Sequence, residues 1–262
     1  MSADTEIAQA APVLTERRGN VLLITLNRPE ARNAINLALA EGVAAALDEL
    51  DADGDLAVGV LTGAGKGFSA GMDLKAFVTG ERPWVGDRGF AGIVQRASRK
   101  PLIAAVEGFA VAGGFEVALA CDLIVAARGA NLGIPEVKRS VVAAGGALLR
   151  LPRRMPYGLA MELALTGDPI DAERAYELGV VNRLADPGAA VVAALELAAT
   201  IAKNGPLALD ATKAVLQRQF DWTEEEFWQK QGELAGPVFT SEDAREGATA
   251  FAEKREPVWK GR

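Results

Sequence analysis

An α/β fold is what the 262 residues of this chain predict, and two patterns predict it. Short apolar runs of strand length alternate with helix-periodic segments through about residue 127, the order expected when helices cover a mostly parallel sheet. From about Tyr157 the pattern turns mainly helical, so a helical region should close the chain. Half the residues are hydrophobic and 24% are charged. That suits one large domain, or a domain with an extension.

Residues 1–12 read as a loose polar, alanine-rich tail, 13–200 as the core and 201–262 as a helical C-terminal region. Val21 to Leu26 is an apolar strand ended by Asn27-Arg28-Pro29. Leu37 to Leu50 has helical spacing through Leu39, Val43, Leu47 and Leu50. Ala57 to Thr62 reads as a strand buried on both faces. The spacing gives a short helix over Leu74 to Val78, a poorly patterned loop over Thr79 to Asp87 and a helix over Phe90 to Arg99. Leu102 to Val106 and Leu123 to Ala126 are further strands. Tyr157–Leu165, Asp171–Leu178, Ala189–Lys203, Pro206–Gln219 and Thr223–Val238 read as helices. Asp171 is a suitable N-cap, Gly179 a helix stop, and Thr223-Glu224-Glu225-Glu226 a capping box.

Composition narrows the function. A net charge of −7 argues against nonspecific binding to nucleic acid or to anionic membrane surfaces. Cys121, the single cysteine, permits neither an intramolecular disulfide nor a thiolate metal cluster. No run of 18 apolar residues suggests a membrane span. The start of the chain lacks the basic and apolar pattern of a secretory signal, so a cytoplasmic protein is expected. With no histidine in the chain, acid–base work falls to carboxylates, lysine, tyrosine or that cysteine.

Two glutamates are the leading candidates for it. Glu116 lies in an apolar run, where a carboxylate is costly without a task or a partner. Gly113-Gly114 just before it can open a helix with bare N–H groups. Ala70-Gly71-Met72-Asp73-Leu74 places a similar glycine turn before a short helix. Alone, each half reads as an ordinary helix start. Together, the Met72 and Gly113 amides form a candidate oxyanion hole. Alone, Glu116 reads as a buried glutamate bonded to backbone, and Glu136 as a surface residue after Pro135. As a pair in different environments they could divide the acid and base roles of adding water to an activated double bond. Gly63-Ala64-Gly65-Lys66-Gly67 fails as a phosphate loop, because no Gly-Lys-Ser/Thr opens the helix at the required offset.

From about Val13 to Arg262 the chain resembles the crotonase superfamily, the enoyl-CoA hydratases and isomerases. The resemblance is carried by Asn27-Arg28-Pro29, Asn33-Ala34, Phe68 to Lys75, Lys100 to Gly108, Gly113 to Glu116, Cys121-Asp122, Pro135-Glu136, Gly145-Gly146, Leu165-Thr166-Gly167 and Phe251 to Arg255. Phe115 to Ala120, Leu149-Arg150-Leu151-Pro152 and the closing residues Glu253 to Arg262 look most like the branch of crotonobetainyl-CoA hydratases, also called carnitinyl-CoA dehydratases. Two features depart from the superfamily pattern. Ala112 replaces the first of three glycines, and Val141 to Ala144 replaces a segment with proline.

The resemblance implies a spiral of ββα units, a helical C-terminal assembly region and a homotrimer or dimer of trimers. It implies that Met72 and Gly113 hold a thioester oxygen, and that Glu116 and Glu136 carry out the hydration of a 2-enoyl-CoA. It also implies coenzyme A contacts at Arg28, Arg32, Ala70, Asp73, Leu74, Lys75, Phe251 and Lys254, with acyl-CoA as substrate and no metal or other cofactor. A Δ3-Δ2-enoyl isomerase, needing one main proton shuttle, is the second enzyme reading. A non-catalytic acyl-CoA or RNA-binding relative is a third, opposed by the net charge and the intact glutamate pair.

Overall fold

A computed structural model describes residues 11–262. The first strands are β1 (Val13–Arg18), β2 (Val21–Leu26), β3 (Val58–Gly63), β4 (Trp84–Val85), β5 (Gly89–Phe90) and β6 (Leu102–Val106). They are followed by β7 (Phe109–Val111), β8 (Leu123–Ala127), β9 (Asn131–Gly133), β10 (Ile170–Asp171) and β11 (Arg183–Ala185). The helices begin with α1 (Leu37–Ala52), α2 (Leu74–Val78), α3 (Gly113–Ala120), α4 (Ala147–Arg154) and α5 (Tyr157–Thr166). The rest are α6 (Ala172–Glu177), α7 (Ala190–Ile201), α8 (Pro206–Arg218), α9 (Glu224–Phe239) and α10 (Glu242–Glu253).

The main sheet has the order β1-β2-β3-β6-β8-β11 and is parallel except for the β1–β2 hairpin. Its inner strands are apolar on both faces because both faces are covered. On one side Leu22, Ile24, Leu61, Leu102, Ala104 and Ile124 join the core with Leu39, Val43 and Leu47 of α1 and Phe115 of α3. On the other, Val21, Leu23, Val58, Val60, Ile103 and Val125 join Ala190, Ala194, Leu197 and Ala198 of α7. The period of two in each strand sends alternate residues to the two cores.

A repeated unit builds the spiral. Each turn runs from a main-sheet strand to a short extended piece and then to a helical element. The turns are β2, Ile35 and α1; β3, Ser69 and α2; β6, β7 and α3; and β8, β9 and a 3-10 turn over Pro135–Arg139. Neighbouring extended pieces pair in parallel: Ile35 with Met72, Ser69 with Ala110, and β7 with β9 in the register Phe109↔Asn131 and Val111↔Gly133. Each helical element therefore starts beside the start of the next. Gly114 tightens this stack, because its backbone lies against the Ser69 carbonyl with no room for a side chain.

The sequence expectation of a helix over Phe90 to Arg99 is overturned. Gly89, Ala91 and Gly92 have φ of 71°, 56° and 69°, a left-handed run no α-helix passes through. The segment instead wraps the buried Arg88 side chain, which donates to Arg96 O at 2.9 Å and pairs with Asp48. Thr79–Asp87 is likewise not a plain loop, since Trp84 and Val85 form a hairpin with Gly89 and Phe90. Of the expected tail, residues 1–10 lie outside the described residues. Ala11 and Pro12 are tied down through their carbonyls by the side chain and backbone of Asn27. Several short strands, α4 and α10 are elements the periodicity did not reveal.

In the C-terminal part, Thr223 and Glu226 form the expected capping box on α9. Lys213 docks α8 at the starts of the inner strands β6 and β8: it donates to Lys100 O at 2.7 Å and to Asp122 Oδ2 at 2.6 Å, while Asp122 also accepts from Leu102 N. The stacking of successive turns yields a test. Gly114→Ala should cost about 1–3 kcal/mol in chemical denaturation, because the new methyl meets backbone that cannot rotate away. A variant as stable as the parent would contradict the close approach of α3 to Ser69.

Candidate active site

Glu116 stands in the first turn of α3, 4% exposed. The helix begins from Ala112 at φ 52° and ψ −134°, a region that favours glycine and costs other residues about 1–3 kcal/mol. Here the departure from a triple glycine puts a strained alanine directly before the site. Ala147 N–H donates to Glu116 Oε1 at 3.2 Å. A Cβ on Gly145 would lie 2.5 Å from Oε2, so only glycine lets that turn close on the carboxyl. Burial pushes the Glu116 carboxyl up to about 6; the charge of Glu136 adds to this, while the Ala147 and Gly145 amides and Arg150 oppose it.

Glu136 lies in the 3-10 turn that follows β9. Burial raises its pKa too, against its own backbone N–H and Arg139. Among the described residues, its buried Oε2 has no hydrogen-bond partner. An unsatisfied buried carboxyl oxygen is costly unless a ligand or water group answers it. The β7–β9 register joins the two glutamates: Ala112 N–H donates to Gly133 O at 2.9 Å, with Glu116 four residues beyond one and Glu136 three beyond the other.

The two candidate amides also meet here. Gly71 has φ 92°, and a Cβ on it would lie 2.9 Å from Gly113 N and 3.0 Å from the Ala112 methyl. Gly71 O and Asp73 N–H make the bonds of the Met72–Ile35 bridge. The Met72 N–H is thereby left on the other side of the strand. Among the described residues, neither the Met72 nor the Gly113 N–H donates to a protein acceptor. The Phe90 ring packs on Gly113, 2.7 Å from where a Cβ would stand, and meets Trp84 edge-on at 5.3 Å.

Of the residues expected at coenzyme A, six share one edge of this region. Arg28 donates to Asp73 Oδ2 at 3.0 Å in a partly buried pair, and Ala70 N–H donates to Arg32 O at 3.0 Å. Asp73 caps α2 by accepting from Lys75 N and Ala76 N. Burial pushes its carboxyl up, but the Ala76 amide, Arg28 and the Lys75 amide together hold it below its ordinary value. Leu74 and Lys75 are exposed beside it. Phe251 and Lys254 are exposed at the end of α10, where Lys254 is the left-handed C-cap. The residue-level reading missed the packing of Phe90 on Gly113 and the Gly145–Ala147 turn on Glu116. Gly145-Gly146 was visible as a motif without a role, and Phe90 carried no signal, since it lay in a segment read as helix.

A sequence profile of the enoyl-CoA hydratase/isomerase family matches residues 16–262. The crystal structure of enoyl-CoA hydratase EchA1 from Mycobacterium marinum is similar at 57% identity with a TM-score of 0.95, over 96% of this chain and 100% of that one. Enoyl-CoA hydratase EchA19 of Mycobacterium tuberculosis is 43% identical over 95% of this chain and 96% of its own length. Carnitinyl-CoA dehydratase of Salmonella heidelberg is also 43% identical, over 94% of this chain and 97% of its own. Both groups of relatives expected from the sequence are therefore present. The chain belongs to the enoyl-CoA hydratase/isomerase family of the crotonase superfamily.

Proposed function

We propose that the protein adds water reversibly across the 2,3 double bond of a 2-enoyl-CoA thioester. The observation that carries this reading is the meeting of two amides, unpaired among the described residues, with two glutamates whose acidity burial has weakened. The thioester oxygen accepts from Met72 and Gly113 N–H. Ionised Glu116 takes a proton from water as its oxygen bonds to C3. The π electrons move through C2 onto the thioester oxygen, and the amides stabilise that enolate more than the ground-state carbonyl. Collapse of the enolate takes a proton at C2 from Glu136. Reversal is the dehydration, in which the two carboxyls exchange roles. The reaction is redox-neutral and needs only these proton transfers.

Arg32 and Lys75, exposed beside the α2 cap, suit the phosphates of the coenzyme, while Arg28 and Asp73 shape the backbone that lies between. Phe251 and Lys254 suit the nucleotide end of a coenzyme on a neighbouring subunit, in the homotrimer or dimer of trimers that the family resemblance implies. Sedimentation as a single 27.4 kDa species would remove that part of the reading.

Glu116→Gln and Glu136→Gln should each lower kcat about 10²- to 10⁴-fold with thioester binding largely kept. Product analysis of the parent should give a 3-hydroxyacyl thioester. A shifted double bond without added water would make the enzyme an isomerase instead, and wild-type turnover in either variant would clear that glutamate of a role.

The pH dependence follows from the raised pKa of Glu116. Its base form is lost as pH falls through about 6, so kcat/KM should drop there. Stability should run the other way. The folded state binds this proton more tightly than the unfolded chain, whose carboxyl titrates near 4.5. The penalty of the buried charge is thus complete above pH 6 and absent below 4.5. Glu116→Gln should stabilise the fold by about 2 kcal/mol at pH 8, a gain that fades in acid. A destabilised Gln variant at pH 8 would show that the carboxylate is held favourably rather than at a cost.

A further inference from the structure

The turn that holds Glu116 is itself held. Gly145 and Gly146 lead into α4, with Gly146 as N-cap at φ 100°. One turn later Arg150 folds back over them. Its Nη1 donates to Gly145 O at 3.3 Å and its Nη2 to Val94 O at 2.5 Å. Any side chain on Gly146 would occupy the place of the guanidinium. The planar fork thus ties the start of α4 to the segment that follows β5. The next residue, Ala147, gives its N–H to Glu116.

We propose that Arg150 is a positioning residue for Glu116, fixing through the Gly145 and Val94 carbonyls the turn whose amides hold the carboxyl. It does not touch the reacting atoms. Its charge acts as well as its shape. Glu136 faces Glu116 from the 3-10 turn and disfavours its ionised form, whereas Arg150 faces it from α4 and favours that form. Around Arg150 itself, Arg153 adds like charge, while Cys121 lies at the far end of α3 as a buried thiol pushed up to about 12. Among the described residues, Arg150 thus adds a cation to the Ala147 and Gly145 amides that oppose the burial of Glu116. Because its hydrogen bonds end on backbone carbonyls, the turn keeps its shape when Glu116 takes up and releases its proton.

The inference rests on the hydratase reading for its kinetic consequence, and two variants separate its parts. Arg150→Met keeps an unbranched stem but removes both the charge and the guanidinium fork. It should lower kcat about 10- to 100-fold, change KM less than about threefold, and move the acid limb of kcat/KM up by a few tenths of a pH unit. Arg150→Lys keeps the charge but cannot span both carbonyls as a planar fork. It should leave the acid limb near that of the parent and still lower kcat. The Glu116 titration is also read without turnover, from the ¹³C-carboxyl resonance that Glu116→Gln removes. A folded Met variant with parental kcat and an unmoved resonance overturns the proposal. If the Met variant does not fold, the Lys variant decides, and parental kcat in it overturns the positioning role. Failure of the parent to hydrate any enoyl thioester would instead refute the hydratase reading, while the resonance still tests the tie between Arg150 and Glu116.

Discussion

Parallel pairing of the short second strands decides where the candidate site residues lie. A main-sheet strand alone would scatter the helix starts along the sheet edge. The Ile35–Met72, Ser69–Ala110 and β7–β9 pairings stack successive turns at one level. That level is where Met72, Gly113 and Glu136 all fall, each just after an extended piece ends. A one-residue slip in the β7–β9 register would turn the following side chains to the opposite face. The close approach of Gly114 to Ser69 and of Gly71 to Gly113 leaves little space for such a slip.

The same stacking carries a thermodynamic cost concentrated at the site. Ala112 adopts a glycine-like backbone, Glu116 is buried with a weakened acidity, and Glu136 has a buried oxygen without a partner among the described residues. Strain and unsatisfied groups of this kind persist only where the surrounding structure over-determines them. Here the surroundings are two apolar cores, one on each face of the parallel sheet. The Gly145–Gly146 turn and Arg150 complete the support from α4. Stability held in the sheet is thus spent at one end of it, where unpaired donors and poorly solvated carboxyls are useful in a reaction that moves charge onto an oxygen.

Much of this was legible in the sequence for definite reasons. The strand over Val21–Leu26 and the helix over Leu74–Val78 show their limits in apolar runs bounded by Asn27-Arg28-Pro29 and by the Asp73 cap. The inner parallel strands β2, β3, β6 and β8 could be read because burial on both faces makes them continuously apolar. β7 and β9 could not, being three residues long and paired through contacts distant in the chain. Phe90 to Arg99 misled because its apolar spacing is helical while its backbone is governed by Gly89, Gly92 and the buried Arg88. At the site, Glu116 stood out as a charge in an apolar run. Glu136 gained meaning only from its partner, and Arg150 from the carbonyls it reaches. Side-chain contacts made across the fold leave no local pattern to read.

A structure of the protein bound to a 3-hydroxyacyl-CoA or an unreactive enoyl-CoA analogue tests the central arrangement most directly. The account expects the thioester oxygen about 2.7–3.1 Å from both the Met72 and Gly113 nitrogens, with the Glu116 and Glu136 carboxyls on the C2–C3 bond. A thioester oxygen bound away from these two amides, or a C2–C3 bond out of reach of both glutamates, would contradict it.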